Sequence, residues 1–84
     1  MRRTVVPMLG LAAALAAPVP ALADDQADCV AGIAMIRAEI AKNPPQATLT
    51  ALQRALRSAE RELKEAEFDE CVDAVNDARK ALRR

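Results

Sequence analysis

The feature that most constrains the fold is a pair of cysteines far apart in the chain, Cys29 and Cys71, the only two present. A disulfide requires the two Cα atoms to lie within about 7 Å of each other. On the chain-entropy model, closing so long a loop stabilises a folded domain by roughly 4 kcal/mol. For a small domain this is a large share of the total stability. A fold that joins the two cysteines is therefore strongly favoured.

The N-terminal segment gives the reason to expect that bond. Arg2 and Arg3 are followed by an apolar run, and Ala21-Leu22-Ala23 then places small residues at the exit. A positive start, a short apolar stretch and a small-x-small exit are typical of a secretory signal peptide. We predict that residues 1–23 are removed by cleavage between Ala23 and Asp24.

The predicted mature domain, residues 24–84, is then periplasmic or secreted, and both cysteines are free to oxidise. The apolar run is interrupted by three prolines and is shorter than the about 20 residues that a spanning helix needs. We expect no membrane contact apart from the signal peptide.

Helix-forming residues dominate the mature segment, and no alternating strand pattern is visible. We predict helices at about 25–43, 48–65 and 69–83. The first carries an apolar stripe of isoleucines, contains Gly32 where another helix can approach closely, and should stop at Asn43 because a proline follows. The second should begin near Thr48 or Thr50, since Thr50 and Gln53 have capping-box spacing.

Propensity alone allows one unbroken helix from position 48 to Leu82. The disulfide argues against it. In a hairpin that turns at Pro44-Pro45, Cys71 would lie ten residues beyond the point opposite Cys29, about 15 Å along the helix axis. A second turn near 66–69, with Asp69 as N-cap, removes the conflict. We predict an all-α fold, a small three-helix up-down-up bundle with one disulfide; a helical hairpin with a long bent second helix is the alternative.

Residues 66–75, Ala-Glu-Phe-Asp-Glu-Cys-Val-Asp-Ala-Val, resemble the inter-helix turn of a tetratricopeptide repeat. Ala66 stands where that repeat usually has glycine, and the chain has no second copy to stack against. The resemblance implies a turn at this place, and no repeat-protein function is carried over.

The composition excludes several functions. The chain has no histidine, tryptophan or tyrosine, so Ser–His and Cys–His mechanisms are absent, and we predict no enzyme, catalytic residue, cofactor or metal site. Once Arg2 and Arg3 leave, acidic residues outnumber basic ones, and Phe68 is the only aromatic. Nucleic acid is therefore not an expected partner.

The remaining hypothesis is a binding or structural role, with an unknown protein partner or a second copy completing the apolar surface. Phe68 is the candidate interface anchor, and Arg54, Arg57 and Arg61 form an arginine ridge on the second helix. Two alternatives stay open. The ridge would serve a membrane-surface or envelope-associated protein, and a reactive Cys29–Cys71 pair would serve a thiol redox factor.

Overall fold

The computed structural model describes the backbone of residues 20–84 and the side chains of residues 24–84. Residues 1–19 of the predicted signal peptide lie outside the described range. The described chain consists of three α-helices, α1 (Pro20–Ile40), α2 (Gln46–Lys64) and α3 (Phe68–Leu82), and contains no strand.

The three helices form one bundle in which every pair is in contact. Cys29 of α1 is bonded to Cys71 of α3, and Gly32 further along α1 faces Val75 further along α3. These two contacts follow the same order in both helices, so α1 and α3 run in parallel and α2 returns between them. The predicted small all-α bundle with one disulfide is confirmed.

The end of α1 lies earlier than predicted. The helix stops at Ile40 rather than at position 43, and the backbone N–H groups of Lys42 and Asn43 donate to carbonyls only three residues back, each at 3.1 Å. Asn43 adopts a left-handed conformation with φ of 55°, which asparagine tolerates better than most residues. Because Pro44 has no N–H group, no further bond can extend the cap.

The start of α2 also differs from the prediction. The helix begins at Gln46, and Pro45 is its N-cap, with a carbonyl that accepts from the Leu49 N–H at 2.8 Å. The prediction that Thr50 caps the helix in a capping box is wrong, since this residue lies one turn inside the helix. Its hydroxyl instead accepts a hydrogen bond from the Gln46 side-chain amide at 3.2 Å.

The second turn closes with the hydrogen bonds of a Schellman motif. The N–H of Ala66 donates to the Leu63 carbonyl at 3.0 Å, and the N–H of Glu67 donates to the Glu62 carbonyl at 2.8 Å. Ala66 has φ of 61°, the left-handed conformation that glycine adopts without strain. The long bent helix is thus excluded.

The N-cap of α3 also differs from the prediction. Glu67, not Asp69, occupies the N-cap position, and it makes no side-chain capping bond. Asp69 and Glu70 instead lie in the first turn, where negative charge is favoured by the helix dipole.

The core is built from small and medium apolar side chains. No polar or charged residue is buried in the described part of the chain. The largest fully buried side chains are those of Ile36, Leu52 and Val75, beside the two bonded cysteines. Because more than half of the buried core positions are alanine or cysteine, each helix approaches its neighbours closely but buries little area per residue.

Candidate functional site

The disulfide joins α1 to the first turn of α3. The Cα atoms of Cys29 and Cys71 are 5.5 Å apart, and neither residue is exposed to solvent. One turn further along, a Cβ added to Gly32 would lie only 2.6 Å from Val75 Cγ2 and 3.0 Å from Val75 Cβ. The bond and the glycine therefore occupy the same close approach between the two helices.

The burial of the sulfurs bears on their chemistry. Thiol–disulfide exchange proceeds by direct attack of a thiolate on a sulfur atom, so it requires access. Both cysteines lie under packed side chains of all three helices. The arrangement favours a structural crosslink over a redox couple.

The three side chains of the arginine ridge do not line a common cavity. Arg54, Arg57 and Arg61 are all exposed along α2. Arg54 lines a shallow cavity of about 230 Å³ between α2 and α3, together with Ser58 and Asp77, whereas the other two arginines are not among its lining residues. Arg61 forms an ion pair with Glu62 at 3.4 Å.

Phe68 is the first residue of α3 and is half-buried. This position neither seals it in the core nor presents it as a fully exposed anchor. Phe68 follows the turn between α2 and α3, and its sequence neighbours Glu67 and Asp69 are both exposed.

Acidic side chains gather around that turn. The carboxylate of Glu62, followed by that of Glu67, raises the pKa of Glu70 above its ordinary value, with smaller contributions from desolvation, Asp69 and Asp73. Within the described residues, no group of three or more histidine, cysteine, aspartate or glutamate residues has the geometry to hold a metal ion. The cluster is thus a site of mutual repulsion.

The structure contains a second candidate surface that the sequence did not predict. Val30, Ile33 and Ala34 of α1 and Leu63 of α2 line an apolar groove of about 230 Å³. An ion pair between Arg37 and Glu60 spans its rim. Val30 is 52% exposed, more than any other large apolar side chain in the described range. The sequence of α1 did contain an indication of this groove, because the apolar residues of the helix are not confined to one stripe.

None of the described helices combines the length and the apolar character of a membrane-spanning segment. Comparison with family models, curated proteins and solved structures returned no match to the chain. The function must therefore be inferred from the residues and their arrangement.

Proposed function

We propose that this chain is exported, oxidised and used as a small helical module with a binding or structural role, not as an enzyme. The observation that carries the proposal is the Cys29–Cys71 disulfide, which is buried in a core without polar side chains in the described residues. A structural disulfide is typical of periplasmic and secreted proteins and rare in the cytosol.

The proposal of a non-catalytic role is supported by the surroundings of the ionisable side chains as well as by composition. General acids, bases and nucleophiles usually acquire their reactivity from burial or from a positioned partner. In the described residues no ionisable side chain is buried. Such a surface can bind a partner, but it offers no preorganised group for a reaction.

The arginine ridge supports a membrane-surface role less well. Glu60 and Glu62 lie on the same helix beside its arginines, and Glu62 pairs with Arg61. Carboxylates this close reduce the positive potential that attracts anionic lipid. We therefore favour a protein contact over a lipid contact.

Expression of the full chain in a bacterium, followed by fractionation and intact-mass measurement, tests the proposal. We expect the periplasmic fraction to contain a protein that begins at Asp24, with a mass two hydrogen atoms below that of the reduced polypeptide. A Cys29→Ser, Cys71→Ser double variant provides the control for the mass difference. A full-length cytoplasmic product with free thiols would contradict the proposal.

The redox alternative is tested on the same preparation. Because both sulfurs are buried, we expect the native protein to resist reduction by glutathione and to exchange only when unfolded. Rapid exchange under native conditions would favour a thiol redox factor instead.

A further inference from the structure

The disulfide joins the two helices that are furthest apart in the described chain. Cys29 of α1 and Cys71 of α3 are separated by 42 positions, and the whole of α2 lies between them in sequence. A crosslink over so long a loop removes many conformations from the unfolded chain. On the chain-entropy model, it raises the folding equilibrium constant roughly a thousandfold.

The core that this crosslink supports is small. Apart from the two cysteines, the buried apolar residues of the described range are five alanines and four larger side chains, those of Ile33, Ile36, Leu52 and Val75. Other large apolar side chains pack against this core but are only partly buried: Met35, Ile40, Leu56, Leu63 and Val72. Domains of about 60 residues are marginally stable unless a staple supplements such a core.

Local interactions offer little that could replace the crosslink. The N-cap residues of α2 and α3, Pro45 and Glu67, make no side-chain capping bond, so neither helix has this common source of stability. Ala66 adopts a left-handed conformation, which costs free energy in any residue with a Cβ atom. In each ion pair of the described residues the cation is exposed, and such pairs stabilise a fold only slightly.

The burial of the sulfur atoms restricts when the bond can form. Neither Cys29 nor Cys71 is exposed in the folded bundle. Thiol–disulfide exchange requires an oxidant to reach a thiolate, so it proceeds in a chain whose helices have not yet packed. Oxidation and packing are therefore two parts of one transition.

We propose that oxidation is the switch that folds this protein: the reduced chain is unfolded, and formation of the Cys29–Cys71 bond converts it into the three-helix bundle. The oxidant is itself a disulfide. The thiolate of one cysteine attacks it, forms a mixed disulfide and releases one oxidant thiol. The thiolate of the other cysteine then attacks the mixed disulfide, which forms the Cys29–Cys71 bond and releases the second oxidant thiol. Two electrons and two protons thus pass from the cysteine thiols to the oxidant.

The inference rests on the proposed export and goes beyond it. Thiols stay reduced in the cytosol, so the chain remains unfolded there and folds only where it meets an oxidant. The two proposals are separable. Export is read from the location and mass of the product, whereas the switch is read from the purified protein, which glutathione disulfide can oxidise in vitro.

Far-ultraviolet circular dichroism tests the switch on the oxidised protein and on the same protein reduced in denaturant and returned to native buffer with a phosphine reductant. We expect the oxidised protein to be helical and to unfold cooperatively. Loss of about a thousandfold in the folding constant lowers Tm by roughly 15–30 °C in a domain of this size. The reduced chain should therefore lose most of its helical signal at about 25 °C, and reoxidation should restore it.

Alkylation by iodoacetamide provides a second readout of the reduced chain. Thiols in an unfolded chain are open to the reagent, whereas thiols buried in a packed bundle are inert. We expect the labelling rate in native buffer to lie within about threefold of the rate in urea, with both rates corrected by those of a short cysteine peptide.

A Cys29→Ala, Cys71→Ala double variant is the matched control, because it lacks the bond and contains no thiol that could be modified. It should be unfolded at about 25 °C with and without the reductant, which shows that the crosslink and not the reagent decides the state of the chain.

Three results would overturn the proposal. The first is a reduced chain that unfolds cooperatively with a midpoint above about 25 °C. The second is alkylation at least about tenfold slower in native buffer than in urea, which would show that the reduced thiols are already buried. The third is a double alanine variant that folds. Failure of export would instead appear as an unprocessed cytoplasmic product and would leave these measurements unchanged.

Discussion

Replacement of Gly32 by alanine tests how closely α1 and α3 are held together. Helix propensity alone predicts that the change stabilises the protein by up to about 1 kcal/mol, since glycine is costly within a helix. The structure predicts the opposite sign. The added Cβ would lie 2.6 Å from Val75 Cγ2, closer than side-chain atoms are found in folded proteins.

Neither Val75 nor the backbone of α1 can move to relieve this clash without a cost in free energy. Val75 is only 1% exposed, and β-branched side chains in helices have one strongly preferred rotamer. The disulfide lies one turn before both Gly32 and Val75, so it limits how far the helices can separate. Overpacking of a core costs about 1–3 kcal/mol. After subtraction of a propensity gain of about 1 kcal/mol, we expect a net destabilisation of up to about 2 kcal/mol.

Thermal unfolding of the oxidised protein, followed by circular dichroism, measures this effect. A loss of 1 kcal/mol lowers Tm by roughly 4–8 °C in a domain of this size. Val75→Ala, which removes the atoms that clash, should cost about 2 kcal/mol by itself. The double variant should be less destabilised than the sum of the two single variants by about 1 kcal/mol.

Two results would refute this reasoning. A Gly32→Ala protein that is more stable than the native chain would show that propensity outweighs the close approach. Strict additivity in the double variant would show that Val75 is not the group that opposes the added methyl.

Three further predictions follow from the turns and charges. Ala66→Gly should stabilise the protein by about 1 kcal/mol, because it removes the strain of a left-handed alanine; denaturant unfolding measures this, and an unchanged or lower midpoint would contradict it. Glu70 has a raised pKa, so folding favours its protonated form and stability from this group rises as pH falls through the folded pKa. The raised pKa means that repulsion by neighbouring carboxylates outweighs the favourable helix dipole at Glu70, so Glu70→Gln should raise Tm at pH 7 in low salt and lose that advantage at acidic pH. Exposed Glu65→Gln is the control, and a gain that is independent of pH would argue against the repulsion. Anionic vesicles should not retain the oxidised protein, because carboxylates lie beside Arg54, Arg57 and Arg61; binding that disappears in high salt or on charge reversal of the ridge would support the membrane-surface alternative.

The fold was predictable because one covalent constraint acted against local propensity. No residue between positions 48 and 82 is a helix breaker, yet the distance from Cys29 to Cys71 required a second turn. The structure places that turn at Glu65–Glu67, beside the alanine that adopts the left-handed conformation. Gly32 was likewise recognised as a place of close helix approach, because glycine within a helix has few other uses.

The helix ends were less predictable, since they depend on backbone hydrogen bonds that leave weak traces in sequence. Proline at position 44 showed that α1 must end, but not that Lys42 and Asn43 would already bond three residues back. Thr50 had capping-box spacing, while Pro45 started the helix a turn earlier. In each case a side-chain pattern was outweighed by the geometry of the adjoining turn.

The candidate site was the least predictable part. A search for one buried stripe in α1 identifies the isoleucines and overlooks the alanines and Val30 on the other side. Only the arrangement of all three helices shows which apolar residues stay uncovered. Phe68, chosen as the sole aromatic, is half-buried at a turn instead of projecting from a face.

Peptide mapping of the unreduced protein most directly tests the claim that the chain folds back twice so that Cys29 meets Cys71. Trypsin cleaves after Arg37, Lys64 and Arg79 and so separates the segments that contain the two cysteines. The account predicts that these two peptides remain joined in material of monomer mass and come apart on reduction. Separate peptides with free thiols, or joined peptides found only in a covalent dimer, would contradict it.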